Sequence, residues 1–107
     1  MAVPRVTARG IKQGADVVLV DGSVRELKDY ALTSQYYTSN AQGVAADLAR
    51  QAELRIQEGY RDIRFVFPGD VGAMPLALDA ALRVELARVA NAAGLPATSV
   101  TFEIWTP

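Results

Sequence analysis

The chain has no cysteine and no histidine. The first absence excludes disulfides, thiolate metal sites and cysteine nucleophiles. The second excludes serine triads, histidine-ligated zinc and histidine-dependent nucleases, and removes the commonest general base. Any catalysis must run on carboxylates, Lys, Arg, Tyr, hydroxyls or a carboxylate-bound hard cation. No apolar run approaches the roughly 20 residues of a membrane-spanning helix. The opening residues, Met1-Ala2-Val3-Pro4-Arg5, carry no apolar signal-peptide core. A glycine-rich phosphate loop is missing as well. Eleven Lys and Arg stand against 12 Asp and Glu, for a net charge of −1. The whole-chain charge therefore gives no basic footprint for nucleic acid, although it leaves room for a local basic face.

What is present is a globular composition: 107 residues, 50% hydrophobic and 21% charged. That length supports one core, and no linker or fixed-period repeat divides it, so residues 1–107 read as a single domain. Val3 to Ile11 is β-prone. Asp16-Val17-Val18-Leu19-Val20 is a short apolar run suited to a buried strand. Asp21-Gly22 is a hairpin signal, and Ser23 to Tyr30 returns as an alternating strand. Residues 31–38 read as a polar, aromatic loop. Ser39 followed by Gln42 matches a capping box, Val44, Leu48, Ala52 and Ile56 make an apolar stripe, and Gly59 suits a helix end. A helix is predicted over 40–58. Asp62 to Phe67 is a strand stopped by Pro68-Gly69. A second helix begins near Pro75 with Leu78, Leu82, Leu86, Val89 and Ala93 on its stripe, and Gly94 and Pro96 end it. Val100, Phe102 and Ile104 alternate in a last strand that ends at Trp105.

The predicted order is β-β-β-α-β-α-β. The predicted fold class is α/β (α+β), a single mixed sheet formed from an antiparallel meander followed by parallel crossover strands.

The chemistry concentrates early. Asp16 heads the second predicted strand, and Glu26-Leu27-Lys28 lies in the third. Glu26 and Lys28, two apart, share a strand face. Two carboxylates beside an ammonium suit Mg²⁺ or Mn²⁺, which prefer oxygen ligands and keep several waters. Asp16 and Glu26 would bind the metal. Lys28 would position or deprotonate the attacking water and stabilise developing charge. The register decides whether the set assembles. A two-residue Asp21-Gly22 turn puts Asp16 on the face away from Glu26 and Lys28; a three-residue loop, Asp21-Gly22-Ser23, puts it on theirs.

These residues resemble a known family. Asp16, the Asp21-Gly22 turn and Glu26-Leu27-Lys28 look like the core of the PD-(D/E)XK, restriction-endonuclease-like nuclease superfamily. The pattern is most similar to the C-terminal nuclease domains of bacterial polymorphic and contact-dependent inhibition toxins. The resemblance runs over residues 1–68 by element order, with the sharp match confined to residues 16–28. It implies Asp16 and Glu26 as metal ligands, Lys28 as the catalytic lysine, and Gln51 or Gln42 as the glutamine often carried by the following helix. Ala15 stands where the motif's name has proline, and the fifteen residues before Asp16 read as a strand where the family core has a helix.

The resulting expectation is a magnesium-dependent endonuclease acting on DNA, or on RNA, as a toxin domain. It would be delivered from a larger secreted parent into a target-cell cytoplasm and blocked by a cognate immunity protein. Arg5, Arg9, Lys12 and Arg25 would rim the site against phosphates, or serve as ordinary solubilising charge. Tyr36 and Tyr37 would stack on bases, or anchor a loop on the core. The alternative reading is a non-catalytic interaction module, either an inactivated nuclease fold or an immunity-type binding protein. In that case Glu26 and Lys28 are an exposed strand face with cross-strand charge pairs, and Asp16 caps loop amides.

Overall fold

The computed structural model describes residues 17–28, 30, 32, 34–68 and 74–105. Among them, four strands form one sheet in sequential order: β1 (Val17–Val18), β2 (Val24–Leu27), β3 (Ile63–Pro68) and β4 (Val100–Trp105). β1 pairs antiparallel with β2, while β2, β3 and β4 are parallel. The helices are α1 (Gln35–Ser39), α2 (Ala41–Gln57) and α3 (Leu76–Ala92), with a single 3-10 turn at Ala97–Ser99. Parallel neighbours need long crossovers, and α2 and α3 supply them.

This is the expected mixed α/β class, with differences of detail. The predicted first strand, residues 3–11, lies outside the described residues. The only antiparallel pair among the described residues is β1 with β2, so the three-stranded meander is not seen there. A sheet of this order is shared by many α/β domains and does not single out a restriction-endonuclease-like core.

The hairpin differs from the predicted Asp21-Gly22 turn. Leu19 N–H donates to the Ser23 carbonyl at 2.9 Å, and Gly22 N–H donates to the Leu19 carbonyl at 2.9 Å. The loop is thus Val20-Asp21-Gly22, three residues long and one position earlier than the three-residue alternative. Gly22 sits at φ +87°, where side chains are penalised. This is a turn closed by a glycine bulge. The Asp21 side chain accepts from both Ser23 N–H (2.9 Å) and Ser23 Oγ (2.7 Å). Those two bonds hold the Asp21 carboxyl below the ordinary carboxylate range. Val18 lies opposite Val24, so even-numbered residues of β1 and β2 share a face.

The capping prediction also needs correction. Ser39 is the last residue of α1, where its Oγ accepts from Gln35 Nε2 at 3.2 Å, and no capping box forms with Gln42. The side chain that caps is Ser34, accepting from Tyr36 N–H at 3.2 Å. Residues 35–38, predicted as loop, are therefore helical, together with Ser39. Gly59 ends α2 as expected: it takes φ +104°, and Tyr60 N–H reaches back to the Arg55 carbonyl at 3.2 Å.

One apolar cluster joins Val24, Ile63, Phe65 and Phe67 of the sheet to Val44, Leu48 and Ala52 of α2 and Leu78, Leu82 and Leu86 of α3. α2 and α3 also pack on each other. Each fully buried Leu or Phe in this layer contributes roughly 1.5–3 kcal/mol. Ala93, placed on the α3 stripe by sequence, is exposed. The strand register puts Val24, Ile63 and Val100 in one row and Glu26, Phe65 and Phe102 in the next row of the same face. Arg25, Arg64 and Thr101 point to the other side, where Arg64 pairs with Glu103 at 3.2 Å.

Candidate functional site

Glu26 is one of three buried polar or charged residues among the described residues. Of the other two, Ser23 is held by Asp21 and Arg55 pairs with Glu58 at 3.4 Å. Glu26 is 4% exposed, on the helix-covered face of β2. Strand alternation puts Lys28 on that face too. The Lys28 backbone N–H continues the ladder by donating to the Val66 carbonyl at 2.9 Å. Its side chain turns toward α2, with Nζ 5.9 Å from the centre of the Phe65 ring.

Lys28 Nζ donates to Gln51 Oε1 at 2.6 Å. Gln51 Nε2 donates to Asp47 Oδ2 at 3.0 Å, and Arg50 Nη2 donates to Asp47 Oδ1 at 2.6 Å. The Gln51 amide orientation is dictated by its neighbours, because an ammonium only donates and a carboxylate only accepts. Spacings of three and four residues place Asp47, Arg50 and Gln51 on adjoining turns of α2. An ammonium has three donors and Gln51 takes one.

The structure therefore brings together Lys28, Gln51 and the buried Glu26 face of β2. Asp16, Arg5, Arg9 and Lys12 lie outside the described residues, and Val17 is the first described residue after Asp16. Arg25 lies on the opposite sheet face, where its Nη1 donates to Ser23 Oγ at 3.2 Å. Gln42, the other candidate glutamine, is exposed at the start of α2.

Sequence reasoning missed two members of this neighbourhood. Asp47 was signalled by its place four residues before Gln51 on one helix. Tyr30 was signalled by its place two residues after Lys28. The Tyr30 ring stacks on Tyr37 (centroids 5.0 Å apart, 15° between planes), and Tyr36 stands edge-on to Tyr37 at 5.1 Å. Burial, then the negative charge of Asp47, push the Tyr30 hydroxyl up to about 12. Burial, then Tyr36, raise that of Tyr37. With Gly43, Val44 and Asp47, the three tyrosines line a cavity of about 280 Å³. The site thus stands at the carboxyl end of β2, the end at which open α/β sheets bind ligands.

No group of three or more His, Cys, Asp or Glu converges among the described residues. The donor chemistry of Glu26, in a chain with neither Cys nor His, fits a hard oxygen-seeking cation and no soft one. No helix among the described residues is long and apolar enough to cross a membrane. Comparisons with protein-family models, with characterised proteins and with solved structures returned no match to this chain.

Proposed function

We propose that the chain is a metal-dependent nuclease that hydrolyses phosphodiester bonds in DNA or RNA. The observation that carries this reading is the 2.6 Å bond from Lys28 to Gln51, made on the sheet face that also holds Glu26. A strand Glu-x-Lys joined to a glutamine of the next helix is the arrangement that the motif's resemblance to PD-(D/E)XK nucleases implies. Glu26 and Asp16 would hold Mg²⁺ or Mn²⁺, which when bound supplies charge neutralisation and an acidified water. Gln51 orients the Lys28 ammonium, and Asp47 orients Gln51. The remaining Lys28 donors stabilise negative charge as it develops on a phosphate. In the same reading the domain is a bacterial toxin module carried by a larger parent chain, restrained by an immunity protein.

A different observation favours the second reading, a non-catalytic interaction module. Lys28, Gln51, Asp47 and Arg50 bond to one another, as they would in a polar chain that only ties β2 to α2. The deciding experiment is plasmid and RNA cleavage with Mg²⁺, comparing wild type, Glu26→Gln and added EDTA. Cleavage lost in both controls supports the nuclease. Folded wild-type protein that cuts neither substrate leaves the binding module.

A further inference from the structure

We infer that the tyrosine-walled cavity beside Lys28 is a subsite for one unstacked nucleobase, so that the substrate is single-stranded or locally opened where it binds. This rests on the nuclease reading and adds the form of the substrate and a base preference.

The tyrosines divide into two kinds. Tyr30 and Tyr37 pack against the hydrophobic core, and Tyr30 also meets the Phe67 ring at 5.6 Å, so both have a structural role. Tyr36 has none of that: it is 56% exposed and lies outside the core cluster, yet it is held edge-on to Tyr37. A large ring kept in place at a cavity mouth is a stacking surface, and aromatic platforms beside polar groups are how proteins hold splayed-out bases. The cavity of about 280 Å³ falls just below the range for drug-sized ligands, roughly 300–1,000 Å³, and so suits a single planar heterocycle.

Gly43 also lines the cavity. A β-carbon there would meet nothing within 4 Å, so neither crowding nor a positive φ requires glycine at this helical position. A side chain at this lining position would add bulk at the cavity. The polar group in the lining besides the tyrosine hydroxyls is Asp47, fixed by Gln51 and Arg50. A carboxylate accepts only, so it selects a base edge that presents adjacent donors. Guanine, with a ring N–H next to an amino group, answers that best. Uracil and thymine, whose one N–H lies between two carbonyls, answer it worst.

The test uses the whole chain without added metal, in EDTA, so that binding is read apart from cleavage. Amide shifts of Gly43 and ring shifts of Tyr36 are followed by NMR while 5′-GMP and then 5′-UMP are added. Affinities for a labelled single strand and for a blunt hairpin duplex are measured alongside. GMP is expected to shift both residues at concentrations where UMP does not, and the single strand to bind at least about tenfold more tightly than the duplex. Tyr36→Ala is expected to weaken single-strand binding about tenfold, in line with the usual cost of losing one stacking ring, and Tyr36→Phe to retain it. Gly43→Leu fills the cavity while improving helix propensity, so its loss of binding is not a folding failure. Absent shifts, equal binding of duplex and single strand, or wild-type affinity in Tyr36→Ala and Gly43→Leu would overturn the subsite. The nuclease reading fails separately: base binding that depends on Tyr36, with no cleavage in Mg²⁺, removes the nuclease and leaves the subsite. Cleavage indifferent to Tyr36 and Gly43 does the reverse.

Discussion

The Lys28 ammonium bonds to the side-chain oxygen of Gln51 at 2.6 Å, tying the carboxyl end of β2 to the middle of α2. The two residues are 23 apart in sequence. A bond to an ionised donor is stronger than one between neutral groups, so this contact sets where the ammonium points.

Replacing Gln51 by Leu leaves Lys28 without that acceptor. Stability should fall by about 1.5–3 kcal/mol, the usual range for a hydrogen bond to a charged group. On the nuclease reading the cleavage rate should fall roughly 10–100-fold, as it does when a partner that orients a catalytic group is lost. Gln51→Glu keeps an acceptor for Lys28 but sets a second carboxylate against Asp47, so it should recover only part of the lost stability. Urea midpoints and cleavage rates measured on the same preparations check both effects, and an unchanged rate in a destabilised Gln51→Leu would reduce the bond to a structural tie.

Glu26→Gln preserves shape and removes the charge. Cleavage should drop by at least about a hundredfold, the scale of losing one electrostatic group at a reacting centre. The far-ultraviolet circular dichroism spectrum should stay that of the wild type. Equal rates for the two proteins would remove Glu26 from the site.

Leu48 and Leu82 are fully buried in the layer between the helices and the sheet. Truncating either to Ala should cost about 2–5 kcal/mol. Leu76, the first residue of α3, is 88% exposed, and Leu76→Ala should change stability by no more than about 0.5 kcal/mol. Thermal melts of the three variants should separate accordingly.

Two glycines should respond in opposite directions. Gly22 lies at φ +87°, so Gly22→Ala should destabilise by roughly 1–2 kcal/mol, the penalty for a side chain in left-handed backbone. Gly43 is helical with open space around it, so Gly43→Ala should stabilise by up to about 1 kcal/mol. Denaturant midpoints give the sign directly.

Tyr30 makes stability depend on pH in the alkaline range. Its hydroxyl is raised from 10.0 to about 12, first by burial and then by the charge of Asp47. The folded state therefore holds its proton more tightly than the unfolded chain does. That contribution is complete below pH 10 and is lost as pH rises from 10 toward about 12. Melting temperature against pH should decline over that interval, and Tyr30→Phe should flatten the decline. An equally steep decline in Tyr30→Phe would assign it to other groups.

The local signals of this sequence were strong from residue 40 onward. The four-residue stripe of Val44, Leu48 and Ala52, the stop at Gly59, the strand of Asp62 to Phe67 and the stripe of Leu78 to Val89 each gave an element close to its observed bounds. Periodicity and end signals are properties of neighbouring residues, so one chain suffices to read them. The alternation of Glu26 and Lys28 likewise places both on one strand face from sequence alone.

What the sequence could not decide was whatever depends on competition between near-equal local choices, or on distance. Ser34 and Ser39 are both good caps, and the short helix that packs Tyr37 onto Tyr30 settled it in favour of Ser34. The hairpin loop took Val20 with Asp21 and Gly22 because Asp21 holds the backbone and hydroxyl of Ser23, and one residue of register decides which faces meet. The meeting of Lys28 with Gln51, and of Asp47 with Tyr30, is tertiary in origin. It exists because the β2–α2 crossover lays the middle of the helix over the end of the strand, which neither segment specifies alone.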